Sequence, residues 1–147
     1  MITQGTISEI NYYLIETIKN ALETESFVDK IPLLLLAPSR VATFNIYATK
    51  IHSTLQPQIK GIIPLQESCL IKLHQDIRYM KYIMIYEMSF IGRNLLKNMD
   101  SRIQWVFPEN DNIPFGGRSI ILTSDLEQML IVMDKPIYEC DDVAREL

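Results

Sequence analysis

Pro32-Leu33-Leu34-Leu35-Leu36-Ala37-Pro38 decides how this 147-residue chain folds. Five apolar residues between two prolines are too few for a helix, and their lack of polar alternation suits a strand buried on both faces. The pattern recurs in Tyr82-Ile83-Met84-Ile85-Tyr86 and in Ser119-Ile120-Ile121-Leu122-Thr123. Helical spacing separates these runs. Ser8 reads as the cap of a helix reaching about Leu22, with Glu9 in its first turn and Ile10, Leu14, Ile18, Ala21 and Leu22 on its apolar face. A second helix is expected from Gln66 to about Met80, through Leu70, Leu73 and Ile77. Ile91, Leu95, Met99, Ile103 and Val106 form a third stripe, which Pro108 breaks. Strands alternating with helices predict an α/β fold with a mainly parallel central sheet flanked by helices.

One domain over residues 1–147 is expected, with no repeat and no linker-like tract. An apolar fraction of 48% with a net charge of −4 argues against disorder. No apolar run approaches the ~20 residues of a membrane span, so no membrane partner is expected. The first residues lack a basic stretch leading into an apolar core, and the expected address is intracellular. Cys69 and Cys140 have no ligating neighbours at metal spacing; they read as buried or incidental thiols, and no metal site is expected.

Charge divides unevenly along the chain. Lys30, Arg40, Lys50 and Lys60 occur without an acid between Lys30 and Gln66. With the whole at −4 and this segment at +4, the other residues carry −8. The basic stretch either faces a phosphate backbone or holds scattered solvated cations.

Ligands of such sheets collect at the carboxyl ends of the strands. Three polar clusters stand there: Pro38-Ser39-Arg40, Glu87-Met88-Ser89, and Ser124 to Gln128. Each alone is explained by a capped strand-to-helix turn, whereas three at one edge point to a site.

In order and content these clusters resemble the first motor domain of the PIF-type (petite integration frequency) ATP-dependent DNA helicases, including those of Helitron-like transposons. Leu36 to Ile46 with Thr49-Lys50-Ile51-His52-Ser53 resembles the family's DNA-contacting segment, an Ala-Pro-Thr-Gly turn leading to Ile-His-Ser. Tyr82 to Ser89 resembles the Walker B strand ending in Asp-Glu-Met-Ser. Pro114-Phe115-Gly116-Gly117 with Ile120 to Gln128 resembles the strand ending in Gly-Asp-Phe, any residue, then Gln.

The resemblance implies a three-layer RecA-like domain of the P-loop NTPase type, ATP and Mg2+ as cofactors, and single-stranded DNA as partner. It implies a nuclear or mitochondrial address and work in DNA repair, recombination or telomere maintenance. Glu87 and Gln128 match the family's hydrolytic residues, and Asp125 its phosphate-sensing aspartate. Gly5, Thr6 and Ser8 fall where the phosphate loop is expected, without its lysine. Tyr86 stands in place of the magnesium-supporting aspartate, which a neutral phenol does not replace. Gly116-Gly117-Arg118-Ser119 echoes a phosphate loop but precedes a strand, and is expected to be a connecting loop. Ser39, Arg40, Asn45, Thr49, Lys50, His52 and Ser53 match DNA-contacting positions. Phe44 reads first as core, and otherwise as a base-stacking ring.

The family's second helicase domain is expected to be missing after Leu147. The expectation is therefore a partial copy of an ATP-dependent DNA helicase, with little catalysis of its own. The alternative is a noncatalytic module that binds single-stranded DNA or a protein.

Overall fold

The computed structural model describes residues 4–24, 32–57, 64–123 and 134–137. Four strands, β1 (Leu33–Ala37), β2 (Thr49–Lys50), β3 (Tyr82–Tyr86) and β4 (Ser119–Thr123), form one sheet in the order β2-β1-β3-β4. Every pairing is parallel, and β1 and β3, the two central strands, carry the uninterrupted apolar runs typical of such sheets. Pro32 sets the start of β1 without contributing a donor, and its carbonyl accepts from the Lys81 and Tyr82 N–H groups at 2.9 and 3.0 Å. The register follows, with Leu33 opposite Tyr82 and Tyr82 opposite Ser119.

Alternate side chains of each run enter separate cores. Leu34, Leu36, Ile83 and Ile85 pack with helices α3 (Ile51–Thr54), α4 (Glu67–Ile77) and α5 (Arg93–Val106), through Ile51, Leu73, Ile77, Met99 and Ile103. Leu35, Ala37, Met84 and Tyr86 pack on the other face, against Ile15 of α1 (Gln4–Thr24) and Ala42 and Ile46 of α2 (Arg40–Ile46). The result is three layers. Each fully buried Leu, Ile or Met contributes about 1.5–3 kcal/mol relative to exposure.

The expected helices are present with shifted limits. The first begins at Gln4, so Ser8 lies inside it and does not cap it; Ile7 extends the helical spacing of Ile10 and Leu14 one turn backward, and nothing in the sequence stops the helix there. Its sheet-facing line runs through Ile15 and Ile18, and Leu14, expected on that face, is exposed. α4 ends at Ile77, three residues before Met80. The turn Pro114–Gly117 precedes β4 as the connecting loop expected there. Gly116 is needed in it, because its φ of 58° is combined with close approach to Phe107.

The start of α5 is held from a distant part of the chain. Gly92 is its cap residue and offers no side chain. Asp134 supplies the missing acceptor, taking the Asn94 N–H at 3.1 Å and its side-chain amide at 2.9 Å. The Arg93 N–H donates to the Lys135 carbonyl at 2.9 Å, and Gly92 bridges Pro136. A Cβ at position 92 would meet the Asp134 carboxylate. Asp134→Ala is expected to cost about 1 kcal/mol, the usual worth of a helix cap. A urea titration would show it as a lower midpoint at unchanged slope.

Candidate functional site

Because all four strands are parallel, their last residues share one edge. After β1 the chain passes Pro38 to Ser39, whose extended backbone (φ −110°, ψ 160°) and side chain cap α2. The Ser39 Oγ accepts the Ala42 N–H at 3.0 Å, satisfying a first-turn donor that would otherwise lack a partner. α2 turns Ala42 and Ile46 into the core, so Arg40, Val41, Phe44 and Asn45 face outward. Tyr47 closes the helix in the left-handed region (φ 53°), its N–H on the Thr43 carbonyl.

Phe44 is 82% exposed, which overturns its reading as core. The reason is the short helix: seven residues present only two positions to the sheet, and Ala42 and Ile46 take both. Tyr47 at 80% and Val41 at 71% continue the exposed stripe. Neither Val41 nor Tyr47 was expected at the surface, although the spacing of three through Val41, Phe44 and Tyr47, offset from Ala42 and Ile46, marks the stripe in the sequence.

β2 pairs Thr49 with Leu36 and Lys50 with Ala37, which brings the Ile-His-Ser segment to the same edge as Ser39. Arg40, Asn45, Thr49, Lys50, His52 and Ser53 are all exposed there. Two of the hydroxyl groups are already engaged. Thr49 Oγ1 donates to the Leu35 carbonyl at 3.2 Å, and Ser53 Oγ to the Lys50 carbonyl at 2.9 Å. Their single protons are taken by backbone carbonyls, so donors to an anion on this surface come chiefly from Arg40, Lys50 and the Asn45 amide.

Glu87 follows β3 in the left-handed region (φ 59°, ψ 53°), a conformation that costs a residue with a Cβ about 1 kcal/mol or more. Its Oε2 lies 3.5 Å from Ser39 Oγ. Burial pushes the Glu87 carboxyl above its ordinary range, and the Ser39 hydrogen bond opposes that shift. Tyr86, one residue earlier, is 6% exposed and packs with Ala42, Ile46 and Met84. The ring thus points into the core beneath α2.

Gly5, Thr6 and Ser8 lie in the first turns of α1, in helical backbone. Asp125, Gln128 and Cys140 lie outside the described residues. Among the described residues no three His, Cys, Asp or Glu side chains group to hold a metal ion, and no helix is long and apolar enough to cross a membrane.

The chain matches the family model of the PIF1-like helicases over residues 5–141. Among solved structures it is similar to Bacteroides Pif1 bound to single-stranded DNA: 25% identity and a TM-score of 0.60, covering 86% of this chain and 28% of that one. Pif1 helicase from Bacteroides in complex with ADP-AlF3 and single-stranded DNA gives 26% identity and a TM-score of 0.57, covering 74% of this chain and 26% of the other. The Candida albicans Pif1 helicase shares the fold, with a TM-score of 0.63 at 19% identity, over 86% of this chain and 28% of its own. No curated protein sequence matches the chain. The chain thus spans between 26% and 28% of the length of these three helicases.

Proposed function

The chain belongs to the PIF1-like helicase family, and from that premise we propose that it supplies the single-stranded-DNA-contacting surface of a RecA-like motor domain and does not turn over ATP alone. The observation that carries the reading is the edge formed by α2, β2 and α3. There Arg40 and Lys50 of the acid-free segment are exposed, with Phe44 and Tyr47 standing in solvent beside them. Cations that track phosphate and rings that stack on bases are the two parts of a sequence-tolerant single-strand site. The relatives solved with single-stranded DNA support the same partner.

One relative holds ADP-AlF3, and ATP and Mg2+ are the cofactors that the family resemblance implied. The described residues do not fit them. Phosphoryl transfer needs a cation at the outer phosphates and a carboxylate-supported metal. The position of that carboxylate holds Tyr86, turned into the core, and Glu87 is the only acid at the described strand ends. No hydrolytic step is derived for Glu87.

The test is fluorescence anisotropy of a labelled oligo(dT) titrated with the protein at several salt concentrations. Binding should weaken steeply as salt rises, and ATPase assays should stay at background. Phe44→Ala should weaken binding by about fivefold or more, at the low end of the ~1–3 kcal/mol for one base stack, and leave the salt slope unchanged. Absence of binding at low salt would refute the reading.

A further inference from the structure

Ser39 and Glu87 lie on different strand ends, 48 positions apart, yet meet at the carboxyl edge. The Ser39 hydroxyl has two engagements. It accepts the Ala42 N–H at 3.0 Å, which fixes the first turn of α2, and it donates toward Glu87 Oε2 at 3.5 Å. A hydroxyl has one proton, so any partner that rotates it or shifts the α2 turn changes what Glu87 receives. Glu87 is held in a left-handed conformation at this place, and unfavourable backbone persists only where the surroundings enforce it.

We propose that Ser39 is a positioning residue that orients the Glu87 carboxylate and relays to it the state of the DNA-facing helix α2. The relay half rests on the single-stranded-DNA reading given above; the positioning half does not. At 3.5 Å the bond is long in the free protein. Movement of α2 toward β3 therefore strengthens it, and movement away breaks it. Among the described residues no salt bridge to Glu87 competes with Ser39.

The test is an NMR titration of the Glu87 side-chain carboxyl in the full chain, with and without oligo(dT). Removing a hydrogen bond to the ionised form disfavours that form. Ser39→Ala should therefore move the Glu87 midpoint upward by a few tenths of a pH unit. Ser39→Thr, which keeps the hydroxyl, should restore it. Ser39→Asp keeps an acceptor for the Ala42 N–H while placing a second carboxylate beside Glu87, and should raise the midpoint most. Its shift reports that position 39 lies beside Glu87, and Ser39→Ala reports the loss of the donor. Oligo(dT), added to saturation shown by anisotropy for each chain, should shift the midpoint in the parent chain and leave it fixed in Ser39→Ala.

An unchanged midpoint in Ser39→Ala would overturn the positioning role, whatever Ser39→Asp does. Oligo(dT) that binds by anisotropy without moving Glu87 would overturn the relay while the binding reading stands. If oligo(dT) does not bind, the binding reading and the relay fall together, and the titration without oligonucleotide still decides the positioning role.

Discussion

Tyr86→Asp, the substitution that writes the helicase aspartate back into the third strand, is expected to unfold the domain more readily without giving it a metal site. Tyr86 sits in the core between the sheet and α2, with Ala42, Ile46 and Met84 around it. The change removes a ring from that core and places a carboxylate among apolar side chains. Loss of a buried aromatic side chain alone costs about 3–5 kcal/mol, and burying a carboxylate adds its desolvation to that. Against a total of about 5–15 kcal/mol for a domain, that is a large share.

The pH dependence provides a second check. A carboxyl buried in this place has a folded-state pKa raised above its unfolded value. The variant keeps the most stability below the unfolded carboxylate range and loses it as pH rises through the raised value. Urea denaturation between mild acid and neutrality, beside calorimetric titration with magnesium and nucleotide, measures both parts. A stable Tyr86→Asp chain with saturable magnesium-dependent nucleotide binding would contradict the core placement of position 86.

The second large effect concerns charge. Arg40 and Lys50 lie near each other in the fold because β2 pairs Ala37 with Lys50 directly before the turn that carries Arg40. Hydrogen bonds to charged groups are worth about 1.5–3 kcal/mol, so each of Arg40→Ala and Lys50→Ala should weaken oligo(dT) binding roughly tenfold or more. The double variant should also lower the salt slope by about 1.4, the value for two single-strand phosphates. That signature differs from Phe44→Ala, which leaves the slope alone. Equal salt slopes in the parent and the double variant would remove both cations from the interface.

Three of the four strands were legible from their unbroken apolar runs: Leu33 to Ala37 and Tyr82 to Tyr86 are buried on both faces, whereas Ser119 to Thr123, expected to be so as well, is only partly covered and leaves Leu122 exposed. β2 was not legible: two residues carry no period, and Thr49 and Lys50 are a strand only because β1 lies beside them. α2 was hidden by its length, and with it the outward face of Phe44 and Tyr47. Alternation along β3 does place Tyr86 on the side of Met84, so its core position followed from a period of two. The left-handed turn at Glu87 had no glycine to announce it, and the contact with Ser39 depends on that turn. The charge split was visible without any structure, and the fold places its Arg40 and Lys50 on one exposed edge.

The hold of Asp134 on the first turn of α5 also bears on kinetics. The two partners are 40 positions apart, so the contact requires a long loop to close, and such pairings form slowly. Refolding and unfolding rates of Asp134→Ala locate the clamp on the folding route: a shorter native lifetime at an unchanged refolding rate places its formation after the transition state.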